Sequence, residues 1–186
     1  MRTAGVAPES FRTERLAAER LRPEHFAALL AMHRDPVVMA SIGGIRGEAE
    51  TRDYLDRNLE HWRRHGFGLW VLRDAGSEEF AGRAGLRRCE IEGATEVELA
   101  YAMAGGYHGR GLATEASRAI LGIAFGALGL QSVVAFTAPG NRGSRRVMGK
   151  CSFVYERDVV HAGLEHVLYR LRRSAPAAIP GSAAPG

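Results

Sequence analysis

The stretch YHGRGLATEA, Tyr107 to Ala116, lies between the pattern of a strand and the pattern of a helix. Before it, EVELAYAM (residues 96–103) alternates charged and apolar residues, which predicts a half-buried β-strand. After it, apolar residues recur at helical spacing over residues 111–128. Glycines let a ligand approach the backbone, and the first N–H groups of a helix have no acceptors within it. This strand–turn–helix unit therefore predicts a binding site for a pyrophosphate.

The same periodicity, followed outward, predicts an α/β fold with a mixed sheet. Asp35-Pro36 should end the first helix, because the residue before a proline disfavours helical backbone. We expect strands at residues 13–21, 67–73, 80–88, 96–103, 131–137, 153–160 and 165–172, and helices at residues 23–32, 48–66, 111–128 and 142–150.

The chain of 186 residues fits a single domain, which we expect to span residues 13–173. Residues 1–12 lack periodicity and should be mobile. The Ala/Pro/Gly/Ser tail at residues 174–186 has too few apolar side chains to pack and should be disordered.

The composition, with 46% hydrophobic and 25% charged residues, is that of a soluble globular protein. No apolar run is long enough to span a bilayer, and the N-terminus lacks the apolar segment of a signal peptide, so we expect a cytoplasmic chain with no membrane partner. The two cysteines do not form a disulfide framework or a zinc site, and no pair of the seven histidines has the spacing of a helical metal site. We expect no metal.

Positive charge is concentrated around the glycine turn and in one later segment, although the net charge is only +4. Such a field suits a polyanionic small molecule or RNA, but no aromatic-studded basic strand or RNA motif supports the second partner. The residues concerned are His108, Arg110 and Arg118 near the turn, and Arg142, Arg145, Arg146 and Lys150 beyond it.

Two common nucleotide-binding motifs are excluded by specific residues. A P-loop ends in Lys-Ser or Lys-Thr, and neither pair is present in the chain. A dinucleotide fingerprint needs GxGxxG and a carboxylate on the next strand; residues 109–114 match it in part, and residues 131–137 carry no carboxylate. The glycine turn therefore needs another explanation.

The segment HGRGLA, His108 to Ala113, resembles motif A of the GNAT superfamily, the acetyl-CoA-dependent N-acetyltransferases. Other segments, in order over residues 12–172, are similar to the branch that acetylates ribosomal-protein N-termini and related amines. Agreement of several separated motifs is more specific than the glycines alone. These segments are TERL (13–16), DPVVM (35–39), FGLWVL (67–72), GRAGL (82–86), GYHGRGLATEA (106–116) and NRGSRRVMGKCSF (141–153).

Three residues depart from the pattern of this branch. His108 stands where an aromatic residue is usual, which backbone contacts should tolerate. Gly149 lies within a predicted helix where the family often has Glu, at a cost of about 1 kcal/mol. Ser152 replaces the glycine usual before phenylalanine, and it is strained if its φ is positive.

The resemblance implies a mostly antiparallel, twisted sheet flanked by helices, with a splayed strand pair that holds acetyl-CoA as co-substrate. It implies that the backbone amides of residues 108–113 bind the pyrophosphate, and that the strand end near Ala102 and Met103 pairs with the pantetheine arm. The expected cofactor-binding residues are Ala102, Met103, His108, Gly109, Arg110, Gly111, Leu112, Ala113, Thr114, Asn141 and Arg146.

Acetyl transfer to an amine needs a base, because only an unprotonated amine attacks a thioester. Members of this family often take the base from a carboxylate on the strand before the glycine turn. Glu98 is therefore the first candidate and Glu96 the second, and a solvent-exposed strand face is the alternative interpretation of both.

The leaving thiolate needs a proton, for which the resemblance offers Ser144. Ser144 and Asn141 match the family's Asn-x-x-Ser segment, although both residue types are also common helix N-caps. Tyr169 and Tyr155 are alternative acids.

The resemblance thus implies transfer of an acetyl group from acetyl-CoA to a primary amine, by direct attack in a ternary complex. The acceptor would be a protein N-terminus or a small molecule, chosen by the loop at residues 41–47, the second helix and the final hairpin. A non-catalytic acyl-CoA-binding regulatory domain is the alternative. We expect no DNA partner, and both a monomer and a homodimer are open.

Overall fold

One mixed sheet forms the centre of the molecule. The structure, a computed structural model, describes residues 5–40 and 42–173. Its strands are β1 (Ser10–Arg12), β2 (Leu16–Arg20), β3 (Leu69–Asp74), β4 (Phe80–Ile91), β5 (Ala94–Met103), β6 (Ser132–Thr137), β7 (Val154–His161) and β8 (Leu164–Arg172). Its helices are α1 (Phe26–Arg34), α2 (Pro36–Met39), α3 (Glu48–His65), α4 (Leu112–Phe125) and α5 (Arg142–Lys150). The strands lie in the order β1-β2-β3-β4-β5-β6-β8-β7.

The strand pair β5 and β6 differs from every other neighbouring pair in the described sheet because it is parallel. The two strands are in register at one residue pair, Glu98 beside Val134. Toward their C-terminal ends they separate, and a cavity lies between them. The expected α/β fold, with a mostly antiparallel sheet and a splayed strand pair, is confirmed.

Helices cover both faces of the sheet. Successive side chains of a strand point to opposite faces, so Trp70 of β3 joins the core beneath α4, while Leu69 joins the core beneath α1 and α3. Ile120 of α4 is fully buried in the first core, and Leu29 of α1 is fully buried in the second. Among the described helices, none combines the length and apolar character that a membrane span requires.

The predicted break at Asp35-Pro36 is present, and a short helix that was not predicted follows it. Helix α1 ends at Arg34, and the Asp35 carboxylate caps α2 by accepting a hydrogen bond from the Val37 N–H at 2.8 Å. Pro36 is the first residue of α2, where its missing N–H costs nothing. The same dipeptide therefore ends one helix and begins the next.

Two expectations differ from the structure. Residues 1–12 were expected to be mobile; residues 1–4 lie outside the described residues, but within residues 5–12 β1 pairs with β2, and the N–H of the buried Ala7 donates to the Gly66 carbonyl at 2.8 Å. Strand 96–103 was expected to be half exposed, but helices cover both faces of β5 and Glu98 is only 6% exposed. The expected disordered tail, residues 174–186, lies outside the described residues.

Ser152 has a positive φ of 64°, which is the condition under which it is strained. It follows α5 in a Schellman motif, where the Ser152 N–H donates to the Gly149 carbonyl and the Phe153 N–H donates to the Met148 carbonyl, both at 3.0 Å. Glycine is the usual residue at this position because a Cβ atom disfavours left-handed backbone.

Replacing Ser152 with glycine should raise the free energy of unfolding by about 0.5–1 kcal/mol, because the relieved strain exceeds the added entropy of the unfolded chain. For a domain of this size the melting temperature should rise by about 1–4 °C. Ser152→Ala keeps the Cβ atom and serves as the control. Thermal unfolding in which alanine and glycine stabilise equally would contradict strain as the cause.

Candidate active site

A cavity of about 550 Å³ opens where β5 and β6 separate. Its wall also includes residues of β4, the glycine turn and helices α4 and α5. Most residues predicted from sequence meet here, namely Glu98, Ala102, Met103, His108, Gly109, Gly111, Leu112, Ala113, Thr114, Asn141, Ser144 and Arg146. Segments far apart in the chain therefore converge on one site.

The glycine turn has the backbone that its sequence predicts. Gly109 and Gly111 have φ angles of 73° and 79°, in the left-handed region that glycine tolerates. A Cβ atom at Gly109 would meet no atom within 4 Å, so the backbone there is open to a ligand. Helix α4 begins directly after the turn, and its first-turn N–H groups have no acceptors within the helix. This geometry fits a pyrophosphate.

Side chains from the N-terminal segment hold the outside of the turn. The Arg15 guanidinium donates to the Arg110 carbonyl at 2.9 Å and pairs with the Glu115 carboxylate at 2.6 Å. The Thr13 hydroxyl donates to the same carboxylate at 2.6 Å. Burial acts to raise the pKa of Glu115, but these hydrogen bonds outweigh it and hold that pKa below its usual value. Sequence analysis did not link these segments.

Arg110 itself points away from the cavity wall. Its guanidinium lies 3.7 Å from the Asp74 carboxylate and stacks over the Tyr107 ring, 5.0 Å from the ring centroid. The His108 ring bonds the Met103 carbonyl through Nε2 at 2.9 Å, which ties the turn to the end of β5. Arg110, expected from sequence to bind the cofactor, is therefore not part of the cavity wall.

Helix α5 brings positive charge and a hydroxyl to the opposite wall. Arg146 and Lys150 both line the cavity, and Lys150 was not singled out from sequence as a binding residue. The Asn141 side chain caps the helix, accepting a hydrogen bond from the Ser144 N–H at 3.0 Å. Asn141 is thus the N-cap that its residue type suggested, and it also lines the cavity.

The Ser144 hydroxyl has a partner that sequence analysis missed. Tyr101 of β5 lies with its hydroxyl 2.9 Å from Ser144 Oγ and 3.0 Å from the Ser144 carbonyl. Burial raises the pKa of Tyr101 to about 12, so the phenol keeps its proton at neutral pH. Both hydroxyl groups belong to residues of the cavity wall. The signal in the sequence was a tyrosine on the strand next to the turn.

The other tyrosines considered as acids lie outside the cavity wall. The Tyr169 hydroxyl accepts a hydrogen bond from Arg145 Nε at 3.1 Å. Tyr155 is 50% exposed, and its hydroxyl donates to the Asp158 carboxylate at 3.1 Å. Neither side chain is placed to meet a ligand between β5 and β6.

The two candidate carboxylates have different environments. Glu98 lines the cavity, and its Oε2 pairs with the Arg87 guanidinium at 2.7 Å. Attraction to Glu98 raises the pKa of Arg87. Glu96 lies outside the wall, where both of its carboxylate oxygens accept hydrogen bonds from Arg170, at 2.7 and 2.9 Å. The structure therefore distinguishes the two candidate bases: Glu98 lies in the cavity wall and Glu96 does not.

In the part of the chain that the structure describes, no group of three or more His, Cys, Asp or Glu side chains could hold a metal ion. Cys89 and Cys151 are both free thiols, and burial raises the pKa of each, that of Cys89 to about 12. Their thiolate forms are scarce at neutral pH, so neither is an activated nucleophile.

The chain belongs to the GNAT acetyltransferase family. A family model described as "Acetyltransferase (GNAT) domain" matches residues 15–154, which include the glycine turn and the whole of helix α5. The resemblance drawn from the separated sequence motifs is thereby confirmed. Acetyl transfer, with acetyl-CoA as the donor that the family uses, is the activity of this class.

Three relatives illustrate the range of similarity. The uncharacterized protein YkkB of Bacillus subtilis (strain 168) is 30% identical over 148 residues, covering 79% of this chain and 86% of YkkB. A structure described as a GNAT-family acetyltransferase from Bordetella pertussis has 28% identity and a TM-score of 0.78, covering 88% of this chain and 99% of that one.

The third relative is a ribosomal L7/L12 α-N-protein acetyltransferase, RimL, solved in complex with coenzyme A. It has 15% identity and a TM-score of 0.73, covering 90% of this chain and 97% of that one. At this identity the likeness concerns the fold alone.

Removing Arg87 should destabilise the protein, because the buried Glu98 carboxylate would lose its partner. We expect Arg87→Met to lower the free energy of unfolding by about 1–3 kcal/mol. Arg88→Met, on the exposed face of the same strand, should change it by less than about 0.5 kcal/mol. Urea unfolding measures both, and adding Glu98→Gln to Arg87→Met should recover part of the loss. If Arg87→Met and Arg88→Met lowered the free energy of unfolding equally, the stabilising role of the Arg87–Glu98 pair would be contradicted.

Proposed function

We propose that this protein transfers an acetyl group from acetyl-CoA to a primary amine, by direct attack in a ternary complex. The observation that carries the proposal is the cavity between β5 and β6, with a glycine turn at one end and a buried carboxylate in its wall. The parted strands offer backbone groups to an extended ligand, and the turn offers N–H groups to its phosphates.

We assign cofactor binding mainly to backbone N–H groups and, in addition, to two positively charged side chains. The amides around Gly109 and Gly111, with those at the start of α4, would receive the pyrophosphate. Arg146 and Lys150 supply the positive charge on the facing wall. The residues near Ala102 and Met103 would pair with the pantetheine arm, whose position fixes the acetyl carbonyl for attack.

Glu98 is the proposed base. The incoming ammonium group gives a proton to its carboxylate, directly or through a water, and the free amine then attacks the carbonyl carbon. The C–N bond forms and the C–S bond breaks, leaving a thiolate, and the nitrogen loses its second proton to solvent to give the amide. Backbone N–H groups at the parted strands would stabilise the oxyanion that forms on the way.

Ser144 is the proposed acid, with Tyr101 behind it. Ser144 gives its proton to the leaving thiolate, and the Tyr101 hydroxyl, 2.9 Å away, can replace that proton. Side chains of β5 alternate between faces, so Glu98 and Tyr101 lie on opposite faces of the same strand. The base and the acid thus act from two sides of the ligand between β5 and β6.

The acceptor is a primary amine, either a protein N-terminus or a small molecule. RimL is described as an acetyltransferase of ribosomal L7/L12 protein, which supports the first kind, but its likeness to this chain concerns the fold. Val37, Val38 and Ile42 line the cavity near Glu98's face of the sheet, and Ile42 belongs to the loop expected to choose the amine.

Acetyl-CoA at saturating concentration should raise the melting temperature of the protein, because a ligand that binds only the folded state stabilises it. Gly111→Trp should abolish this rise by blocking the turn. Gly129→Trp is a matched control, since Gly129 also has a positive φ, of 63°, but lies outside the cavity wall. A wild-type protein whose melting temperature does not respond to acetyl-CoA would overturn the assignment.

Glu98→Gln should reduce kcat/KM about 10²–10⁴-fold at neutral pH, because the variant cannot accept the proton of the ammonium group. The deficit should shrink as the pH rises, where the amine loses its proton unaided. Thiol release measured across the pH range tests this, with Glu96→Gln as a control expected to keep the wild-type rate. Wild-type activity of Glu98→Gln throughout would dismiss Glu98 as the base.

A further inference from the structure

Four polar side chains, three of them buried and that of Arg46 half-buried, lie together beside the cavity, and we call them the basic cluster: His33, Arg46, Tyr54 and Arg83. The Arg46 and Arg83 guanidinium groups both stack on the Tyr54 ring, 5.3 and 5.4 Å from its centroid. The His33 ring packs edge-on against the same ring at 4.9 Å. Three elements contribute to the cluster, namely α1, α3 and β4, together with the loop before α3.

Each member of the basic cluster has a buried atom without a hydrogen-bond partner among residues 5–40 and 42–173. These atoms are His33 Nε2, Arg46 Nη1, Tyr54 Oη and Arg83 Nε. Buried polar atoms are normally paired, so a group of four unpaired atoms in one place calls for an explanation. A ligand that accepts hydrogen bonds would supply it.

Arg83 is the member that reaches the cavity. It lines the cavity wall while being only 4% exposed, and burial lowers its pKa. No carboxylate of the described chain lies within ion-pairing distance of its guanidinium. Glu98, the carboxylate that acts on it, is already paired with Arg87 at 2.7 Å.

The charges around Arg83 are unbalanced. Arg46 and Arg87 add positive charge beside it, and Glu98 is the one carboxylate among the groups that act on it, so three guanidinium groups face one carboxylate. His33 adds no charge at neutral pH, because burial and the two nearby arginines lower its pKa to about 4. An uncompensated buried charge is unfavourable, and the most direct compensation is an anion with two oxygens, which matches the planar fork of arginine.

Strand register places this excess charge beside the proposed base. Arg83 is opposite Ala102 and Arg87 is opposite Glu98 in the β4–β5 ladder. Residues an even number apart share a face of a strand, so Arg83, Arg87 and Glu98 lie on one face of the sheet. The phosphate-binding features, by contrast, are the glycine turn and helices α4 and α5, and Arg83 belongs to none of them.

We propose that Arg83, with Arg46 behind it, is a carboxylate-binding subsite for the acceptor, so that the amine acetylated by this protein also bears a carboxylate. This inference rests on the proposed function. A free amino acid and a peptide with an acidic residue near its N-terminus present the same chemistry. Either would bring its carboxylate to Arg83 while its amine lies near Glu98.

Binding of acetylated products tests the subsite without requiring turnover. The probes are N-acetyl-α-amino acids and N-acetyl-ω-amino acids of increasing chain length, each compared with its carboxamide. N-acetylaspartyl and N-acetylglutamyl peptide amides test the peptide source. Calorimetric titration of the full chain, with and without excess coenzyme A, should find at least one acid that binds about 30-fold or more tightly than its amide. Failure of every acid to bind, or equal binding of the amides, would overturn the proposal.

Arg83→Met should remove the preference for the acid, and Arg83→Lys should keep part of it. Arg88→Met, on the opposite face of β4, is the control and should bind like the wild type. Without ligand, Arg83→Met should melt at the same temperature as the wild type or higher, because it loses an uncompensated charge. An Arg83→Met protein that keeps the preference would overturn the proposal. If this variant does not fold, the wild-type comparison of acid with amide decides alone.

The subsite and the proposed function fail in different ways. Thiol release that is equally fast with acids and with their matched amides would overturn the subsite and leave acetyl transfer standing. Acid-specific binding that depends on Arg83, without thiol release for any amine, would keep the anion site and overturn acetyl transfer. The response of the melting temperature to acetyl-CoA is independent of both comparisons.

Discussion

The parting of β5 and β6 after Glu98 and Val134 is the constraint on which the rest of the site depends. Two parallel strands that stayed paired would consume their backbone groups in the ladder and leave no space between them. Because they part, β5 presents backbone and side chains to a cavity instead of to a neighbour. The helix after β5 then starts at the mouth of that cavity, which brings its unpaired amides to the same place.

Because helices cover both faces of β5, the strand carries a polar side chain beneath the helices on each face. Glu98 points to the side of α1 and α3, and Tyr101 points to the side of α4 and α5. Each polar group is buried, so each has a fixed partner: Arg87 for Glu98 and Ser144 for Tyr101. Burial raises the pKa of Tyr101 and so keeps it a proton donor. Alternation along a strand thus places the proposed base and the hydroxyl that supports the proposed acid on opposite faces, three residues apart.

The features of the fold that depend on local sequence pattern were predicted well from the sequence. The glycine turn, the helix after it and the bounds of α5 follow from periodicity and from backbone preferences, which are properties of adjacent residues. The strand pairings that decide exposure are not local. Glu98 was ranked ahead of Glu96 from the resemblance, but the different environments of the two carboxylates, beside Arg87 and beside Arg170, depend on packing between distant segments. Tyr101 and the basic cluster were missed for the same reason, since their partners lie far away in the chain.

The contacts of Arg15 carry a consequence for the N-terminal segment. Arg15 and Thr13, at the turn between β1 and β2, hold Glu115 in the first turn of α4 and the carbonyl of Arg110. Direct side-chain contacts therefore hold the edge of the sheet and the glycine turn together. A chain trimmed through Arg15 would lose the outer support of the glycine turn although every glycine of the motif remained.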